Sequence, residues 1–141
     1  KMNSNTSQST IDKTLDMLDR DREMFFDRIK PPNSGLLLAL HNNLHGYSIH
    51  DEIAISNEVS LKNSGHPYHH NFYICTNRDD FNVLSKSPYN VVLQETPLAE
   101  DNGSLSYLAA RKGVRYINIE TRLGYLSVQT KMLQYIEDHL E

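Results

Sequence analysis

The 141-residue sequence has no tryptophan and a single cysteine, Cys75. One thiol excludes an intramolecular disulfide and a cysteine-built zinc ribbon, and it suits a reducing compartment without requiring one. Basic charge is also in short supply: 14 Lys and Arg stand against 18 Asp and Glu, a formal net charge of −4. Nucleic acid and anionic membrane surfaces reward clustered Lys and Arg, so neither is expected as a partner. No apolar run approaches the ~20 residues that span a bilayer. No secretory leader pattern is visible, which leaves cytoplasm and periplasm both open. Met2 follows Lys1, so the chain is expected to be a cut or processed piece of a longer protein.

Histidine, by contrast, is plentiful. Six of the seven histidines fall between His41 and His70. Neutral imidazole is the commonest protein metal ligand, so this clustering raises a metal question before any motif is considered.

Residues 1–8 are polar and expected to be frayed. Ile11, Leu15, Leu18, Phe25 and Ile29 then recur at helical spacing, with Ser9 or Thr10 placed to cap and Pro31–Pro32 placed to stop the helix. Leu36–Leu40 reads as a short, fully buried strand. Residues 42–70 look irregular, with EIAISNEVSL as a possible strand or hairpin. NFYICT (71–76), NVVLQE (90–95) and VRYINIE (114–120) read as further strands. Asn77 can cap one short helix, Ser104 can begin another that ends at Gly113, and a C-terminal helix carries Leu126, Leu133, Ile136 and Leu140 on one face. Strands alternating with helices predict a layered α/β domain over residues 9–141, with a mixed, mostly parallel sheet flanked by helices.

Two strands end in groups that can do chemistry. The Leu36–Leu40 run stops at His41, Asn42 and Asn43, and VRYINIE stops at Glu120. Ligands in α/β folds gather at the carboxyl ends of strands, so an imidazole and a carboxylate delivered to one sheet edge could hold a metal and activate its water. Each residue alone has an ordinary reading, a hydrogen-bonded histidine or a solvated glutamate. The asparagines read equally well as turn residues.

The segments LLLALHNN, NGSLSYLAARKG and VRYINIETRLG…QTKMLQYI together resemble the C-terminal half of the zinc carboxypeptidase family, over roughly residues 33–140. The nearer likeness is to the branch containing succinylglutamate desuccinylase and aspartoacylase. The resemblance implies a zinc-dependent hydrolase acting on an amide bond of a peptide or N-acyl amino acid. His41 matches the family's third zinc ligand and Glu120 its general base. It also implies that Asn42 and Asn43 orient His41 or bind substrate and that Tyr107 lies near the substrate. Arg122, two residues after Glu120, shares its side if the strand continues and could there bind a substrate carboxylate. Tyr107 also sits between Leu105 and Leu108, where packing explains it, and Arg122 can equally pair with a surface acid.

The family's first two zinc ligands come from an upstream His-x-x-Glu motif, and no histidine here is followed three residues later by glutamate. The chain is therefore expected to be the C-terminal part of a larger catalytic domain that needs upstream sequence to complete its site. The alternative is a non-catalytic binding module that keeps the sheet and has lost the metal. A third reading recruits His66, His69 or His70 to a local zinc site with His41, while the ordinary role for these and for His45 is as solvated loop residues.

Overall fold

The computed structural model describes residues 6–44, 46–62, 69–96 and 103–140. Residues 1–5 of the polar N-terminal stretch, His45, His66 and most of the 97–103 loop lie outside them. The chain forms two compact units, residues 1–32 and 33–141.

The described residues of the first unit form one helix, α1 (Gln8–Ile29), with short flanking segments. Its cap is Ser7, whose hydroxyl accepts from the Thr10 N–H at 3.3 Å, so the helix starts earlier than Ser9 or Thr10 would have it and includes Gln8. It ends where expected. A residue preceding proline is pushed out of the helical region, and Lys30, before Pro31, is extended with ψ 133°.

The second unit runs β1 (Leu37–Asn43), α2 (Ile49–Ile53), β2 (Glu58–Ser60), β3 (Phe72–Cys75), α3 (Arg78–Leu84), β4 (Asn90–Leu93), α4 (Leu105–Arg111), β5 (Tyr116–Arg122) and α5 (Leu126–His139). The strands form one sheet in the order β1-β5-β3-β4-β2. The architecture is α/β with a mixed five-stranded sheet flanked by helices, as expected. It is not mostly parallel: β1–β5 and β3–β4 pair parallel, whereas β3–β5 and β2–β4 pair antiparallel. A strand buried on both faces has the same apolar composition in either direction, so its hydrophobicity carries no directional information.

Three local readings change. The Leu36–Leu40 run is not fully buried; β1 is an edge strand that continues through Asn43, and Leu40 is 48% exposed. EIAISNEVSL contains a short strand, one of its two readings, and not the hairpin. Its first part belongs to α2, whose start is held by the Asp51 carboxylate accepting from the Ser48 N–H at 2.8 Å, and its second part is the three-residue β2. β5 starts at Tyr116 and runs past Glu120 to Arg122.

Asn77 caps α3, accepting from the Asp79 and Asp80 N–H groups at 2.9 and 3.1 Å. Ser104 caps α4, and Gly113, with φ +63°, provides the left-handed turn that closes it.

Side-chain alternation divides the core in two. On one face Tyr73, Cys75, Val91, Leu93, Ile117 and Ile119 pack against Phe81 and Leu84 of α3 and Met132 and Ile136 of α5. On the other, Phe72, Ile74 and Val92 pack with Ile49 of α2. Glu120, Asn118 and Tyr116 alternate onto this second face, where the fold places its polar site. No helix of the described residues is long and apolar enough to cross a membrane.

Candidate functional site

In the parallel β1–β5 ladder, Leu37 pairs with Tyr116, Ala39 with Asn118, His41 with Glu120 and Asn43 with Arg122. Paired residues share a face, so the register brings together two side chains 79 positions apart in sequence. His41 Nδ1 lies 3.1 Å from Glu120 Oε1, and with the carboxylate as acceptor Nδ1 carries the proton. The nitrogen left to meet a ligand is Nε2, on a ring that is 54% exposed. Glu120 sits deeper, with its side chain 6% exposed.

A buried carboxylate needs donors, and among the described residues Glu120 has three, none from Lys or Arg. Asn118 Nδ2 donates to Oε1 at 2.9 Å. Asn43 Nδ2 donates to Oε2 at 3.3 Å and also to the His70 carbonyl at 2.9 Å, which ties the 69–71 turn to the site. Neutral donors orient the carboxylate without cancelling its charge, and that charge acts on the imidazole. The hydrogen bond to Glu120 raises the His41 pKa above 6.5, partial burial opposes the rise, and the Coulombic attraction of Glu120 adds to it.

The direction of that shift fixes a pH dependence. Because the folded value lies above the unfolded one, the pair's contribution to stability is complete below the unfolded value near 6.5 and is lost as pH rises through the folded value. His41 is more than half exposed, so solvent screening limits the contribution to about 1 kcal/mol or less. The difference in Tm between the parent and a His41→Gln variant is therefore expected to be largest near pH 5.5 and to shrink towards pH 8. A difference that stays constant across that range would mean the ring is not paired with the carboxylate.

The pair opens onto a cleft of about 180 Å³, shared by His41, Tyr47, Glu52, Ser106, Asn118 and Glu120. Tyr47 donates its hydroxyl to Glu52 Oε1 at 2.6 Å, and burial followed by this hydrogen bond pushes its pKa well above the ordinary phenol value.

The other residues singled out in the sequence are distributed as follows. Asn43 is in the site, holding Glu120. Asn42 alternates away from His41, and its Oδ1 accepts from the Thr121 hydroxyl at 3.3 Å, although it borders the shallow depression around His41. Arg122 lines a neighbouring depression with Asn43 and His70, and its guanidinium lies 5.9 Å from the centre of the Tyr125 ring. Tyr107 is not brought to the site. It is fully buried and donates its hydroxyl to the Ile55 carbonyl at 3.3 Å, because the turn of α4 that presents Ser104 and Ser106 to the cleft buries the residue beside them.

His69 lies against His50, with ring centres 4.5 Å apart and planes tilted at 48°, and the His70 ring turns to the Tyr47 carbonyl. Among the described residues no group of three or more His, Cys, Asp and Glu side chains is arranged to hold a metal ion.

Sequence reasoning passed over Asn118, Tyr47 and Glu52. A signal existed for Asn118, because a residue two before Glu120 on one strand must share its face. Tyr47 and Glu52 lie in a loop and on a short helix, where no such periodicity applies.

The fold and the site define a class: a mixed α/β sheet whose edge carries a histidine–glutamate pair beside a polar cleft. Comparison with protein-family models, with characterised proteins and with solved structures finds no match to this chain.

Proposed function

We propose that this chain carries part of a zinc-dependent hydrolase that cleaves an amide bond of a peptide or an N-acyl amino acid. The observation supporting this reading is the His41–Glu120 pair, directly opposed across β1 and β5 and open to a cleft. An imidazole is a usual zinc donor, and a carboxylate on its other nitrogen is the usual orienting partner, so the donor chemistry fits one corner of such a centre. It does not fill a centre, since catalytic zinc takes three protein ligands and the described residues bring together no such group. His41 would hold the ion through Nε2, and the remaining ligands would come from outside the described residues, in an upstream part of a longer protein. When bound, zinc acidifies a water molecule and polarises the scissile carbonyl.

The chain's own residues account for the rest. To act as base Glu120 would leave His41 Nδ1, which faces away from Nε2, take the water's proton and return it to the leaving amine. Asn43 and Asn118 keep neutral donors on the carboxylate and hold it at the cleft. Arg122, beside Asn43, binds a substrate carboxylate in the adjoining depression.

The lack of a three-ligand group among the described residues favours a second reading, a binding module with the same sheet and no metal. Zinc content and hydrolysis of N-acyl amino acids separate the two, measured on the chain joined to its natural upstream sequence and on its His41→Ala variant. The hydrolase reading expects about one zinc per chain and amide cleavage, both falling sharply in the variant. A joined protein with neither zinc nor cleavage leaves the binding module.

A further inference from the structure

We propose that the cleft beside the His41–Glu120 pair binds a primary ammonium group on a short aliphatic stem, so that the molecule acted on is a cationic amine derivative such as an N-acylated diamino acid. Calling that molecule a substrate rests on the hydrolase reading; the recognition of its ammonium does not.

The cleft holds a second carboxylate. Glu52 shares it with Glu120, yet the two do not combine with His41 into a metal-holding group, so Glu52 marks a separate place for positive charge. Among the described residues its oxygens are held by neutral donors: Tyr47 Oη gives its proton to Oε1 at 2.6 Å, and Gln94 Nε2 donates to Oε2 at 2.6 Å. A carboxylate accepts about four hydrogen bonds, so both oxygens retain capacity. No Lys or Arg lines the cleft among the described residues.

An independent observation points to the same ligand. Asn118 lines the cleft and is 4% exposed. Its Nδ2 is given to Glu120, and its Oδ1 has no hydrogen-bond partner among the described residues. A buried acceptor left unpaired is costly, and a ligand that brings N–H donors relieves it.

The chemistry selects among ligands. An anion meets two carboxylates, and the one group there that can carry positive charge, His41, is already paired with Glu120. A neutral alkyl group adds no donor to Glu52 and leaves Asn118 Oδ1 unpaired. A guanidinium prefers both oxygens of one carboxylate in its own plane, and each Glu52 oxygen is already engaged by a different neighbour. An ammonium has three diverging donors and no acceptor, which suits acceptors arriving separately from Glu52, Asn118 and the Ser106 hydroxyl. Ile74, Leu105 and Tyr116 supply apolar wall for a stem of a few methylenes.

The test is binding of Nα-acetyl-lysine and of Nα-acetyl-2-aminoheptanoate, an isostere whose side chain ends in methyl in place of ammonium, to the metal-free chain, followed by calorimetry and by amide chemical shifts. The lysine derivative is expected to bind about tenfold or more tightly, as one charged hydrogen-bonded contact implies. Its shifts should centre on Ser106, Asn118 and Glu52, and the preference should disappear in Glu52→Gln. Equal binding of the two compounds, binding of neither, or shifts centred elsewhere overturns the proposal. The comparison on the parent chain decides the matter even if the variant does not fold. Because no metal is present, a retained lysine preference alongside failed zinc uptake and hydrolysis would overturn the hydrolase reading alone, and the reverse pattern would overturn the ammonium site alone.

Discussion

Glu120→Gln is expected to cut the proposed hydrolysis by about 10²- to 10⁴-fold, the range that general acid–base groups contribute. A second effect is expected with no substrate present. The carboxylate is the first cause of the raised His41 pKa, so the variant should return that value towards 6.5, read by NMR titration of the ring protons. An amide has one oxygen where the carboxylate has two. If that oxygen serves His41 and Asn118, the new NH₂ group faces the Asn43 amide that now donates to Oε2. Two donors then oppose each other in a buried place, at a cost of about 1–3 kcal/mol. A variant whose His41 titration and stability both match the parent would show that the two side chains are not coupled. Unchanged hydrolysis would remove Glu120 from the chemistry.

Arg115→Met is expected to destabilise the second unit by about 3 kcal/mol, the low end of the range for stripping one partner from a buried ion pair. Asp80, in the first turn of α3, is 2% exposed and carries a negative charge. Arg115, just before β5, meets both its oxygens: Nε lies 2.8 Å from Oδ2 and 3.1 Å from Oδ1, and Nη2 lies 2.7 Å from Oδ1. The guanidinium side chain is itself 23% exposed, which is why the low end applies. In a chain of this length such a loss corresponds to a fall in Tm of roughly 10 °C. Adding Asp80→Asn to the variant should recover much of it, because the residual penalty belongs to the stranded carboxylate. Urea unfolding of the four members of this cycle gives the coupling directly, and additive single effects would refute the pair as a structural tie.

Some of this protein was legible residue by residue. Asn77 before Asp79 and Asp80, Ser104 before Leu105 and Gly113 after Arg111 are capping signals whose chemistry is local, and each does in the fold what its neighbours in sequence imply. The apolar runs at 71–76, 90–95 and 114–120 each contain a strand because a continuous apolar stretch of that length has few other ways to be buried. The ends of strands at His41 and Glu120 could be noticed as unusual, and a family resemblance assigned them roles, but their spacing alone carried no distance.

Tertiary structure decided the rest, for a physical reason common to each case. Strand direction, strand order and register are set by which long-range pairings bury the most surface, and no stretch of a few residues contains that comparison. Leu37–Leu40 has the composition of an interior strand and lies at the edge, while the equally apolar β3 lies at the centre. The parallel register of β1 against β5 is what converts His41 and Glu120 from residues far apart in sequence into a hydrogen-bonded pair. The same register recruits Asn43 and Asn118, and the packing of α2 and α4 over that face encloses Glu52 in the cleft. Amino-acid sequence by itself determined the elements, their caps and the residue types available. Only the folded sheet decided which of those residues meet.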